Sequence, residues 1–144
     1  MGGTAAGVVA VAGIGGVVTG GPMGSPTAVP TDGYGAGQCS LMRGPDGTLH
    51  GVAEARRDFP EGTRLGILYF KSVDGGATWS VEPVTLYGGR SPDIALDASG
   101  RPVVTYTTNQ ETPIQIARPV GHGWVSATTE AIARDVHTKI TLTP

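Results

Sequence analysis

The chain alternates short apolar runs with polar, glycine-containing breaks. Leu65 to Phe70 is largely apolar on both sides, as in a strand packed between sheets. Val81 to Leu86 is a second run, and the stretch between them carries Gly75 and Gly76, a hairpin signal. Upstream, the same pattern predicts a short strand at Ser40 to Met42 and a turn at Pro45-Asp46-Gly47, with glycine where a positive φ is needed. Thr48 to Ala55 reads as the next strand. Arg57 to Arg64 is polar, carries Pro60 and Gly62, and reads as a loop. With Leu65 to Lys71 and Ser80 to Tyr87 as third and fourth strands, residues 38–90 make one four-stranded antiparallel unit.

The rhythm then recurs. Asp93 to Asp97 is a strand, and Ala98-Ser99-Gly100 turns it as Pro45-Asp46-Gly47 turned the first. Arg101 to Thr107, Ile114 to Pro119 and Trp124 to Thr129 complete a second unit over residues 91–130. Gly121 and Trp124 fall where Gly76 and Trp79 fall, and Pro119 stands at the place of Asp74. The spacing of Trp79 and Trp124, about 45 residues, lies in the range of repeat architectures. His137 to Leu142 repeats the rhythm of Ser91 to Leu96, so residues 131–144 read as the first strand of a third unit.

Residues 1–37 differ in kind. Ala5 to Val18 is apolar and glycine-rich, shorter than the ~20 residues a membrane span needs. The first basic residue is Arg43, so the basic start of a secretory signal is missing. Val8, Val9, Val11, Ile14, Val17 and Val18, set between glycines, predict either two short strands or a tail that packs on a neighbour. Pro22 to Pro30 reads as a linker.

Composition narrows the classes. A chain of 144 residues is one domain or part of one. Its 24 glycines and 11 prolines suit many short strands joined by tight turns. A net charge of -2 points away from nucleic-acid and acidic-membrane partners. The single cysteine, Cys39, excludes an internal disulfide framework and reads as a small buried apolar residue. His50, His122 and His137 show no ligand spacing, so no metal site is expected. The glycine-rich pieces lack the lysine and strand-to-helix setting of a phosphate loop, and no cofactor is expected.

The turn at Ser72 to Trp79 has a reason for each residue. Asp74 can accept backbone N–H bonds within its own turn. Gly75 and Gly76 supply angles a Cβ would penalise. Ser72 and Thr78 add local side-chain bonds, and Trp79 offers an apolar plate to pin the turn on the sheet. The stretch reads S-x-D-x-G-x-T-W and resembles the Asp box of bacterial neuraminidase repeats, found in sialidase-like β-propellers. The resemblance implies an all-β fold: two four-stranded antiparallel blades of a propeller plus a trailing strand. It also implies that Ser72, Asp74, Gly76, Thr78 and Trp79 are structural, at a blade's outer hairpin. Propellers close with 4 to 8 blades, and an open edge is a liability. The expected solutions are a longer chain, an assembly of copies completing the ring, or pairing of the leading strands with the trailing one.

The resemblance covers roughly residues 40–110, through Asp46-Gly47-Thr48-Leu49, Glu54-Ala55-Arg56, the Asp box and Ser91-Pro92. It implies Arg56 as a contact to a substrate carboxylate and Asp58 as an acid/base. The sequence departs from the family in two respects. The stretch Gly37 to Leu41 has no arginine, where sialidases place the first of three that converge on one carboxylate. The later blades, with the other two arginines and the Tyr/Glu pair, are not in this chain, so the carboxylate and nucleophile set of a glycosidase is incomplete. Glu54, Arg56 and Asp58 read equally as a solvated ion-pair surface. Tyr69, Tyr87, Tyr106, Trp79 and Trp124 offer either sugar-stacking faces or core and turn packing.

Three functions are in view. One is an incomplete or non-catalytic sialidase-like module that binds glycans or proteins on a propeller rim, with carbohydrate as partner and a homo-oligomer closing the ring. The second is an early portion of an exo-sialidase or related glycoside hydrolase. The third is a virion or tail structural component, prompted by the Gly/Ala/Val/Thr-rich start.

Overall fold

Alternation of side chains across extended backbone decides this fold, because each strand then offers one face to a core and one to another surface. The computed structural model describes residues 17–19, 26–29, 31, 33–108, 113–132 and 140, and their regular structure is entirely β. β1 (Val17–Thr19) and β2 (Pro26–Ala28) pair antiparallel. β3 (Gly35–Arg43), β4 (Leu49–Phe59), β5 (Gly62–Ser72) and β6 (Ser80–Thr85) form a four-stranded antiparallel meander. β7 (Arg90–Leu96), β8 (Pro102–Thr107), β9 (Pro113–Val120) and β10 (Gly123–Ile132) form a second with the same order. Neither sheet closes on itself.

The first turns of the two sheets are built alike, as the sequence rhythm predicts. In one, Gly47 N–H donates to Gly44 O at 3.0 Å and Gly44 N–H to Thr48 O at 2.7 Å. In the other, Gly100 N–H donates to Asp97 O at 2.8 Å and Asp97 N–H to Arg101 O at 2.9 Å. An aspartate carboxylate accepts a backbone N–H inside each turn, Asp46 from Thr48 and Asp97 from Arg101, both at 3.0 Å. Gly47 and Gly100 sit at φ 86° and 77°, where a Cβ is disfavoured.

The sheets meet face to face. Val52, Ile67, Tyr69 and Val84 of the first pack with Ile94, Val104, Tyr106 and Ala117 of the second. β7 lies against β3, β4 and β5, and β10 against β6. Trp124, on β10, seals the far side: its ring centroid is 5.0 Å from that of Tyr69, and its Nε1 donates to Glu82 Oε1 on β6 at 2.9 Å. The opposite face of the first sheet has its own smaller cluster, Val29, Ala53 and Phe70, flanked by Ala36, Leu41, Trp79 and Val81. Asp93 on β7 ties the sheets at the other side, accepting from Ser40 Oγ at 2.6 Å and from Ile140 N–H at 2.7 Å.

Several expectations change. Arg57 to Arg64 is no loop: β4 and β5 run on as a ladder, pairing Arg57 with Arg64, Asp58 with Thr63 and Phe59 with Gly62 around Pro60-Glu61. Extended backbone there satisfies its own hydrogen bonds in the ladder, so polar side chains do not end the strands. Cys39 is exposed rather than buried; a register irregularity between Ala36 and Cys39 breaks the alternation there. Trp79 and Trp124 are not spatial equivalents. Trp79 lies in the long turn over Phe70, whereas Trp124 is a strand residue paired with Pro119 and turned to the inter-sheet core. The turn beside it is only Gly121-His122. Residues 131 and 132 belong to β10, and the rest of the expected trailing strand, Ile140 excepted, lies outside the described residues. So do Val8, Val9, Val11 and Ile14.

One polar pair sits inside this core. His50, 6% exposed, places Nδ1 2.7 Å from the Tyr69 hydroxyl. Burial lowers the His50 pKa from its ordinary 6.5. As pH falls, the unfolded chain therefore takes up this proton before the folded one. Stability from His50 is fully present above about pH 6.5 and declines below it, towards the lowered folded value. Urea unfolding across this range checks the expectation, and His50→Gln should flatten the decline. The hydrogen-bonded aspartates cannot mimic it, because their lowered pKa values place their losses in more acidic solution.

Candidate functional site

Two features organise the first sheet: the turn from β5 to β6 and the far end of the β4–β5 hairpin. In the turn, Asp74 acts as a clasp. Its Oδ1 accepts from Ser72 Oγ at 2.7 Å and Thr78 N–H at 2.9 Å, and its Oδ2 accepts from Thr78 Oγ1 at 2.5 Å. The buried Ser72 hydroxyl in turn accepts the Gly76 N–H at 2.8 Å. Trp79 Nε1 donates to Gly76 O at 3.0 Å while its ring meets Phe70 nearly edge-on at 5.5 Å. Gly75 and Gly76 take φ 72° and 98°. With so many donors on one carboxylate, led by Thr78, the Asp74 pKa falls to about 2. Every polar atom of this aspartate serves the turn, so its arrangement is conformational rather than chemical.

At the hairpin end, alternation puts Glu54, Arg56 and Asp58 on the β4 face that carries Val52, the face towards the second sheet. Glu54 Oε2 accepts the Ser91 N–H at 3.3 Å, across a bulge where Ser91 holds φ 50°, the only positive φ among the described non-glycine residues. Arg56 Nε lies 3.5 Å from Asp58 Oδ1, and both side chains are well exposed, at 64% and 72%. Thr63 Oγ1 donates to the same Asp58 oxygen at 2.6 Å. The Thr63 bond, with Arg56 adding to it, holds Asp58 below the usual carboxylate range. A general acid or base works best with a pKa near the working pH, and this environment moves Asp58 the other way.

The structure thus brings Arg56 and Asp58 together but joins no second arginine to them in an ion pair among the described residues. Tyr69 and Tyr106 are buried, bonded to His50 and to Ser126 Oγ at 2.7 and 2.8 Å, and cannot meet a sugar. Burial also pushes the Tyr69 hydroxyl pKa up, away from nucleophile character. Tyr87 remains open, at 74% exposure. No group of three or more His, Cys, Asp or Glu among the described residues has the makings of a metal site. No described helix is long and apolar enough to cross a membrane.

Sequence reasoning missed the other face of the same hairpin. There Arg57 lies 5.4 Å from the Tyr34 ring centroid and 5.2 Å from that of Phe59; Arg64 lies 4.6 Å from Phe59 and 5.6 Å from Tyr87. The available signal was the alternation itself: Arg57 and Phe59 are two apart, and Arg64 lies just beyond the Pro60-Glu61 turn. No protein-family model matches the chain, and no curated protein and no solved structure matches it either.

Proposed function

We propose that the chain is a non-catalytic, glycan-binding module of the sialidase-like propeller type, with the two meanders as neighbouring blades. The Asp74 clasp carries this reading: Ser72, Asp74, Gly76, Thr78 and Trp79 are bonded to one another within the turn, which supports a structural role for the S-x-D-x-G-x-T-W stretch. The face-to-face packing of two meanders of equal order is compatible with blades side by side. Binding without hydrolysis follows from the chemistry of the hairpin end. Arg56 pairs only with Asp58 among the described carboxylates, Asp58 is held below the usual carboxylate range, and Tyr69 and Tyr106 are buried out of reach. Glycan-array binding with no release from a fluorogenic sialoside is the expected result. No binding to any glycan would overturn the reading.

A second reading, the early portion of an exo-sialidase, is favoured by one observation: Glu54, Arg56 and Asp58 share one strand face beside the second sheet. Sialoside turnover that disappears in Arg56→Ala would establish it over the first.

A further inference from the structure

The outer face of the β4–β5 hairpin carries a row that runs across the whole first sheet: Tyr34 before β3, Arg57 and Phe59 on β4, Arg64 on β5, and Tyr87 after β6. Aromatic ring and guanidinium alternate along it. Arg57 and Arg64 are direct cross-strand partners, an arrangement of like charges that costs stability. The rings offset part of that cost, since a guanidinium over an aromatic face is attracted by its quadrupole. Glu61 neutralises only one of the two, by an ion pair to Arg64 at 2.9 Å. Arg57 has no carboxylate or hydrogen-bond partner among the described residues, so its fork of donors faces solvent, exposed and held between two rings.

We propose that this row docks a polysaccharide bearing pendant oxyanions, sulfate esters or uronic carboxylates; the proposal rests on the glycan-binding reading and names its substrate class. An oxyanion between Arg57 and Arg64 accepts charge-assisted, two-pronged bonds and relieves the cross-strand repulsion. The exposed Tyr87 and the half-exposed Tyr34 flank the anion site on either side, where the C–H face of a neighbouring sugar can lie on a ring. A nucleic-acid strand fits less well. Its phosphates are oxyanions too, but a furanose lacks the flat C–H face of a pyranose that can lie on Tyr34 and Tyr87.

The test is binding of the full chain to dextran sulfate, carboxymethyl-dextran, uncharged dextran and single-stranded DNA at matched ionic strength. The row predicts binding to one or both charged dextrans, weakened at least about tenfold in Arg57→Gln/Arg64→Gln. Preference between them tells sulfate from carboxylate. Arg57→Lys should retain only part of the affinity, because an ammonium lacks the planar fork. Arg101→Gln, removing an exposed arginine paired with Asp97, should leave binding unchanged. Unchanged binding in the double variant, equal loss in Arg101→Gln, tighter binding to DNA, or no binding to either charged dextran would overturn the inference. If an array still shows neutral glycans bound, only the inference falls; if no glycan binds, the function reading falls with it.

Discussion

Ile67→Ala is expected to lower the unfolding free energy by about 2–5 kcal/mol, read as a shift in the urea midpoint. Ile67 is fully buried at the junction of the two meanders, alongside Val52, Val84, Ile94 and Val104. Its removal leaves a cavity between two sheets that cannot close on it. Their spacing is held at one side by Asp93, bonded to Ser40, and at the other by Trp124, bonded to Glu82. Val125→Ala, on a strand residue left 59% exposed, should stay within about 0.5 kcal/mol. Equal effects of the two would mean that the inter-sheet face is not the core.

Gly51→Ala is the second large expectation, by overpacking instead of by loss. A Cβ at Gly51 would stand 2.2 Å from Phe70 Cε2 and 2.9 Å from Leu41 Cδ1. Phe70 is 2% exposed and fixed against Trp79, so its ring has no free rotamer to take. The expected cost is about 1–3 kcal/mol. Phe70→Leu on that background should recover part of it. The two substitutions should be non-additive in a double-mutant cycle, because each alone disturbs the same contact. Additivity would place the Gly51 effect elsewhere.

The elements of this fold were legible where burial and turn chemistry agree. The apolar run before Ser72 is buried on both faces as its pattern suggests, but only Ile67 and Tyr69 face a second sheet, while Leu68 and Phe70 are buried on the opposite face beside a small cluster of their own. The two glycine turns at Gly47 and Gly100 were legible because an aspartate and a positive φ leave few alternatives. The hairpin end was not. Arg57, Asp58, Glu61 and Arg64 are a polar string in one dimension, and only cross-strand pairing reveals two faces, one of ion pairs and one of stacked guanidiniums. Cys39 was misread for a similar reason, since a bulge is a register event that no single residue announces. For the candidate site, an ion-pair surface at Glu54, Arg56 and Asp58 was one of two readings open in the sequence. Arg56 and Asp58 share a face only because β4 runs on to Phe59 where a loop was expected. The hydroxyl of Thr63, which sets the state of Asp58, comes from the opposite strand.

The proposed module recognises glycans without cleaving them. A proton NMR time course of the full chain with a mixture of neutral, sialylated and sulfated oligosaccharides reads both at once. Saturation transfer from protein to glycan is expected, while the anomeric signals stay constant. Growth of free-sugar signals that vanishes in Arg56→Ala, or no transfer to any glycan, would rule out binding without hydrolysis.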